Sequence, residues 1–217
     1  MNADVSGLLN TKDHIAYMRG YPDGTFRADG NMTRAEAAQM FFNLLNDQTV
    51  VSIAAFRDVK QEAWYAEAAS KLAELGIIRG YEDGSFRGNQ TITRAEFTAM
   101  AVRFAKIDES ADCSYSDVSK TGWQYPPVST AAKYGWIQGY EDNTFRPNVR
   151  ITRGEVSTVV NRMLGRSADK TYIGAHKKEL KSFGDLSEAH WAYFNIAEAV
   201  NAHGFRGSTG YEVWVNL

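Results

Sequence analysis

The chain has 217 residues, 44% of them hydrophobic and 23% charged, which bounds it to an ordinary globular protein of one or two domains. Its formal net charge of −2 gives no reason to expect bulk electrostatic binding to nucleic acid or to an anionic membrane. The single cysteine, Cys113, excludes an intramolecular disulfide and any cysteine-based metal site.

The chain starts with "MNADVSGLLN", which has neither a basic n-region nor an apolar h-region, so no signal peptide is expected in this stretch. No later run approaches the roughly 18 apolar residues of a membrane span. From Gly20 runs "GYPDGTFRADGNMTRAEAAQMFFNLL". Thr33 is a candidate N-cap with Glu36 three residues on, a capping box that predicts a helix start. Residues 46–55 read as a linker. "FRDVKQEAWYAEAASKLAELGI" follows from Phe56, with Ala68, Ala69, Leu72 and Leu75 on one helical face and Gly76 as the stop.

The first pattern then returns as "GYEDGSFRGNQTITRAEFTAMAVRFA" from Gly80, with a box at Thr93 and Glu96. The second returns as "YSDVSKTGWQYPPVSTAAKYGW" from Tyr115, where Pro126 and Pro127 are expected to delay the helix. "GYEDNTFRPNVRITRGEVSTVVNRML" follows from Gly139, with a box at Thr152 and Glu155. Residues 165–182 read as a longer, lysine-bearing linker. "FGDLSEAHWAYFNIAEAVNAHGF" from Phe183 is a third copy of the second pattern, with Gly135 and Gly204 expected to act like Gly76.

The chain is therefore a repeat, and repeats decide architecture. Its halves alternate as back, front, back, front, back, front. The expected parts are a back half at 14–45, full units at 56–105 and 115–164, a half unit at 183–205 and a tail at 206–217. A repeat cannot bury its apolar face alone, so 183–205 is expected to pack with 14–45. The predicted fold is all-α: about six main helices in a pseudo-threefold bundle with short extended loops, closed by the C-terminal half unit.

"FRDV…W", "GYEDGSFR" and "ITRAEF" together resemble the S-layer homology motif, and the likeness covers nearly all of 14–205. Three such motifs in tandem form the usual anchoring cassette of that family. The resemblance implies an extracellular, cell-surface module that binds a secondary cell-wall polysaccharide of Gram-positive-type walls. That polymer is anionic and often carries pyruvate ketals on N-acetylmannosamine. It also implies grooves between neighbouring motifs, with the arginine of the TRAE-type sequence as ligand residue. On this reading Arg34, Arg94 and Arg153 are the first candidates. A helix N-terminus offers free N–H groups to an anion, and arginine adds a planar fork suited to a carboxylate. Alternatively, each arginine pairs with a neighbouring carboxylate.

Arg27, Arg87 and Arg146 contact the polymer or pack over loop aromatics. Trp64, Trp123 and Trp191 stack on sugar rings or serve the core. Asp23, Asp83 and Asp142 are candidate ligand residues and, first, turn residues. Gly154, in place of Ala35 and Ala95, lets a ligand or backbone come closer. Asn143 replaces Gly24 and Gly84, and the three grooves are expected to differ in affinity.

An enzyme is not expected, because the carboxylates come in threes and form no unique pair. His14, His176, His190 and His203 are scattered and follow no triad or metal spacing. Gly84 and Gly24 lack the flanking acids of a calcium loop. No catalytic residue, cofactor or metal is therefore predicted. The rival function is structural self-assembly in a surface lattice, with other lattice subunits as partners.

Overall fold

The computed structural model describes residues 3–52, 56–208 and 211–216. Its elements are α1 (Arg34–Leu44), α2 (Ala66–Glu74), α3 (Arg94–Val102), α4 (Tyr125–Lys133), α5 (Arg153–Leu164), α6 (Lys170–Ala175), α7 (Tyr193–Val200), β1 (Gly204–Ser208) and β2 (Tyr211–Asn216). Among the described residues the fold is all-α apart from one antiparallel hairpin. Contacts divide the chain into two units. One is Asn31–Ile151 with the N-terminal segment up to Leu9; the other is Asn10–Gly30 with everything from Thr152.

Helices α1, α3 and α5 begin where the capping boxes predict. In each, the threonine hydroxyl accepts from the glutamate N–H, and the glutamate carboxylate accepts from the threonine N–H. Helices α2 and α4 end in left-handed glycines, Gly76 at φ +71° and Gly135 at φ +74°. Gly204 does not follow them. Helix α7 runs into extended backbone at Asn201, and Gly204 opens β1.

The prolines do not delay α4. It starts at Tyr125, two residues after Trp123, just as α2 starts at Ala66 two residues after Trp64. First-turn N–H groups have no intrahelical acceptor, so proline loses nothing there. The linker at 165–182 is not structureless either. Asp169 caps α6, and Ile173 packs with Leu180, Ala197 and Trp214 in a buried cluster. The tail is part of the same core through β2. Residues 53–55 of the other linker lie outside the described residues, as do 209, 210 and 217 of the tail.

In the first unit, α1 packs on α2 and α3 on α4, so each back-half helix meets the front-half helix that follows it. Three buried residues preceding the caps close a ring of backbone hydrogen bonds. Met32 N–H donates to the Ile151 carbonyl at 3.0 Å, Ile151 N–H to Ile92 at 3.1 Å, and Ile92 N–H to Met32 at 2.9 Å. In the second unit α5 packs on α7. There the Asp185 carboxylate accepts from Phe26 N–H and Arg27 N–H, joining the half unit at 183–205 to the first back-half loop.

Candidate ligand-binding site

The capped helix starts are closed to an outside anion, contrary to expectation. Arg34 N–H donates to the Gln90 carbonyl and Ala35 N–H to Gly88, while Glu36 N–H is held by Thr33. At α3 the acceptors are Val149, Pro147 and Thr93. At α5 they are Gly30, Ala28 and Thr152. The next loop in the ring thus supplies the carbonyls that a helix N-terminus lacks. Ala35 and Ala95 make this approach with a Cβ, so it does not itself require Gly154, where a Cβ would stand 3.2 Å from the Ala28 carbonyl oxygen and 3.1 Å from the Ala192 Cβ.

Arg34, Arg94 and Arg153 are buried, at 7%, 7% and 4% exposure. Their Nε–H groups donate to the carbonyls of Phe86 (2.9 Å), Phe145 (2.9 Å) and Phe26 (2.8 Å). Arg34 Nη2 also reaches the Arg79 carbonyl at 3.3 Å, and Arg153 Nη2 the Arg19 carbonyl at 2.6 Å. Each guanidinium lies 4.5–5.1 Å from two ring centroids, a loop tyrosine and a loop phenylalanine. The cation near a positive helix end is therefore stabilised by backbone oxygens and aromatic faces of a neighbouring loop.

Arg27, Arg87 and Arg146 lie over Tyr21, Tyr81 and Tyr140 at 4.2, 3.9 and 3.8 Å. They also pair with Asp23, Asp83 and Asp142. Those aspartates accept from the N–H and hydroxyl of Thr25, Ser85 and Thr144, the Asx-turn role. Asn143 occupies the left-handed position of Gly24 and Gly84, which asparagine tolerates better than most residues. The loop arginines are themselves left-handed, at φ +56° to +58°, a conformation that costs about 1–2 kcal/mol.

An aspartate from the front half of a unit holds that conformation. Asp58 accepts from Phe86 N–H (2.6 Å) and Arg87 N–H (2.8 Å), and Asp117 from Phe145 N–H and Arg146 N–H. Asp185 does the same for Phe26 and Arg27. The signal was present in the fixed offset from these aspartates to the tryptophans, but the acceptor role needs two segments brought together.

Trp64, Trp123 and Trp191 are 61%, 62% and 58% exposed, so the repeat presents its indoles outward. In the first unit Trp123 borders a cleft of about 180 Å³ with Arg34, Arg79, Tyr81, Glu96 and Arg103. Arg103 Nη1 donates to the Ile77 carbonyl at 2.8 Å. Burial, then the charges of Arg79 and Arg34, lower its pKa. Three guanidinium groups beside a phenol and an exposed indole suit an anionic ring with a polar edge and an apolar face. Arg79 and Arg103 were not singled out from sequence. Their equivalents are Arg19 and Asn43 in the first copy and Gln138 and Arg162 in the third, so only the second copy carries both cations.

Three copies of a capped helix, an arginine-locked loop and an outward indole define a repeat-built helical module. The S-layer homology domain family matches residues 16–38, 55–98 and 114–157, and the chain belongs to that family. A cellulosome-anchoring protein of Acetivibrio thermocellus is 35% identical over 98% of this chain and 48% of its own length. Cell surface glycoprotein 1 of the same organism is 33% identical over 99% of this chain and 10% of its own length. An amylopullulanase of Thermoanaerobacterium thermosulfurigenes is 33% identical over 76% of this chain and 9% of its own length. The chain thus spans about half or less of the length of these relatives.

Proposed function

We propose that this chain is a non-catalytic module that anchors a surface protein to the bacterial cell wall from outside the cell. It does so non-covalently, by binding an anionic, pyruvylated secondary cell-wall polysaccharide. The cleft of Arg34, Arg79, Arg103, Tyr81 and Trp123 carries this reading. Its charge suits a ketal carboxylate and its rings suit a sugar face. Membership of the S-layer homology family supports the anchoring role. So do relatives whose names are those of an anchoring protein and a surface glycoprotein. The match to a small share of an amylopullulanase suits a module joined to larger proteins of other activity.

The exposed residues Trp123 and Arg79 are the direct contacts, and Arg34 sets the floor of the cleft. The second copy, with both Arg79 and Arg103, binds most strongly. The test is co-sedimentation with wall sacculi before and after chemical removal of the secondary polymer, using Trp123→Ala and Arg79→Ala. Binding that disappears with the polymer and falls about tenfold in each folded variant supports the reading. Equal binding to stripped walls overturns it. Polymer-independent, concentration-dependent assembly that ignores both substitutions favours the lattice role instead.

A further inference from the structure

We propose a divalent-metal site of the zinc type in the second unit, built by His14, His203 and Glu198, with Glu212 beside His14. The histidines were expected to be scattered, yet His14 Nδ1 and His203 Nε2 lie 3.0 Å apart across 189 residues of sequence. Their backbones face each other in an antiparallel bridge, and His203 N–H donates to the His14 carbonyl at 3.1 Å. Glu198 comes from the last turn of α7 and Glu212 from β2. All four side chains are buried.

Ligand atoms of His14, Glu198 and His203 lie within 4.8 Å of one another, and Glu212 stands against His14. His14 Nδ1 stands 3.3 Å from Glu198 Oε1 and 3.6 Å from Glu212 Oε2, and His203 Nε2 stands 3.4 Å from Glu198 Oε2. A tetrahedral zinc with bonds near 2.1 Å sets its ligand atoms roughly 3.3–3.5 Å apart. Neither Glu198 oxygen completes a hydrogen bond among the described residues, although its residue is fully buried. The Trp214 indole is close enough to favour the anion but also completes no bond to it. A fully buried carboxylate without partners is costly. A cation between these atoms removes that cost.

The ring hydrogen bonds leave a lone pair facing the cluster. His203 Nδ1 faces the Asn201 carbonyl at 3.1 Å and must carry its proton there. In a neutral ring this leaves Nε2 as a lone pair, aimed at His14 and Glu198. His14 Nδ1 has one proton to give, and three acceptor groups surround it. The carbonyl behind His203 is the outer contact that usually fixes a metal-binding imidazole, and Ser167 N–H steadies Glu212 in the same way. Arg166 offsets one carboxylate charge, but its Nη atoms are directed to the carbonyls of Ile15, Asn10 and Asp13. Stacking of His14 on Phe205 (3.9 Å) and His203 on Trp214 (3.6 Å) holds both rings in place. An open groove bordered by Asp13, His14, His203 and Phe205 gives access from solvent. A set of two imidazoles and a carboxylate suits zinc among abundant divalent ions. The ion would staple the segment around His14 to the C-terminal hairpin.

The test uses the whole 217-residue chain, stripped with a chelator and titrated with Zn²⁺ against a chromophoric competitor. The expected result is one zinc per chain and a melting temperature raised by roughly 5–10 °C at zinc about 100-fold above Kd. Co²⁺ should give the visible absorption of a four-coordinate ion. Glu198→Gln and His203→Asn, checked for folding by circular dichroism, should lose both the zinc and the thermal shift. If the wild-type chain takes up no zinc at micromolar free metal and its melting is unchanged, the site does not exist. If both folded variants keep full stoichiometry, the ion is held elsewhere and the assignment falls.

Discussion

Replacing Arg34 with alanine separates the cleft's framework from its contacts. The substitution removes one hydrogen bond of good geometry, Nε to the Phe86 carbonyl at 2.9 Å, and one longer bond to the Arg79 carbonyl at 3.3 Å. A bond from a charged donor contributes about 1.5–3 kcal/mol, and the longer one counts for less. Loss of the stacking on Tyr81 and Phe86 adds about 0.5–1 kcal/mol. Removing a cation from a positive helix end returns up to about 1 kcal/mol. The net cost is about 3 kcal/mol, a large part of the 5–15 kcal/mol that holds a typical domain together. For a chain of this size it lowers the melting temperature by about 6–12 °C. Thermal and urea melts followed by circular dichroism measure this directly. Arg34→Lys should fall in between, because an ammonium keeps the charge but cannot fork to two carbonyls. A melting temperature of Arg34→Ala within about 2 °C of the parent, together with lost polymer binding, would refute the structural role and make Arg34 a pure ligand residue. Trp123→Ala, at an exposed site, should change stability by no more than about 0.5 kcal/mol.

Gly80→Ala should destabilise the chain by about 1–3 kcal/mol, because the new Cβ would lie 2.7 Å from the Phe56 ring and 3.0 Å from the Ser85 carbonyl. A melt unchanged from the parent would show that Phe56 can move aside. Thr93→Ala should cost about 1 kcal/mol by emptying the α3 capping box, with Thr93→Ser restoring most of it; equal melts for both variants would count against the box. The Asp23 carboxyl is held down to about 2 by the Thr25 hydroxyl and then by Arg27, and Asp142 is lowered by the same pair of causes from Thr144 and Arg146. A depressed folded pKa stabilises above the ordinary value near 4, and that contribution disappears as pH falls through the folded pKa. Carboxyl NMR titration should therefore show Asp23 protonating, and its loop losing this contribution, between about pH 4 and 2. An Asp23 midpoint at the ordinary value near 4 would contradict the turn geometry.

What could be read in the sequence is what neighbours along the chain decide. The capping boxes at Thr33, Thr93 and Thr152 need only residues three positions apart. The turns at Asp23, Asp83 and Asp142 close within two. Repetition of both at a near-constant period gave the helices, the order of the half units and the family. Pro126 and Pro127 misled because proline's effect depends on its place within the helix, and here both sit in the first turn.

The site was less legible because its contacts join distant segments. The partner of the Arg34 fork lies 52 residues away, that of Arg153 lies 127 away, and the two are alike only because the loops meet at the caps. From sequence an arginine after a capping threonine looks free to hold an anion. In the structure the next loop's carbonyls already fill the helix end, and the arginine is buried beneath aromatic rings. The tryptophans reverse the usual expectation for so apolar a side chain, since exposure is set by what packs above a residue and not by its type. His14 and His203 show the same limit most clearly. No spacing rule joins residues 189 positions apart, and only the pairing of the segment around His14 with the residues that follow α7 brings two imidazoles and the Glu198 carboxylate together.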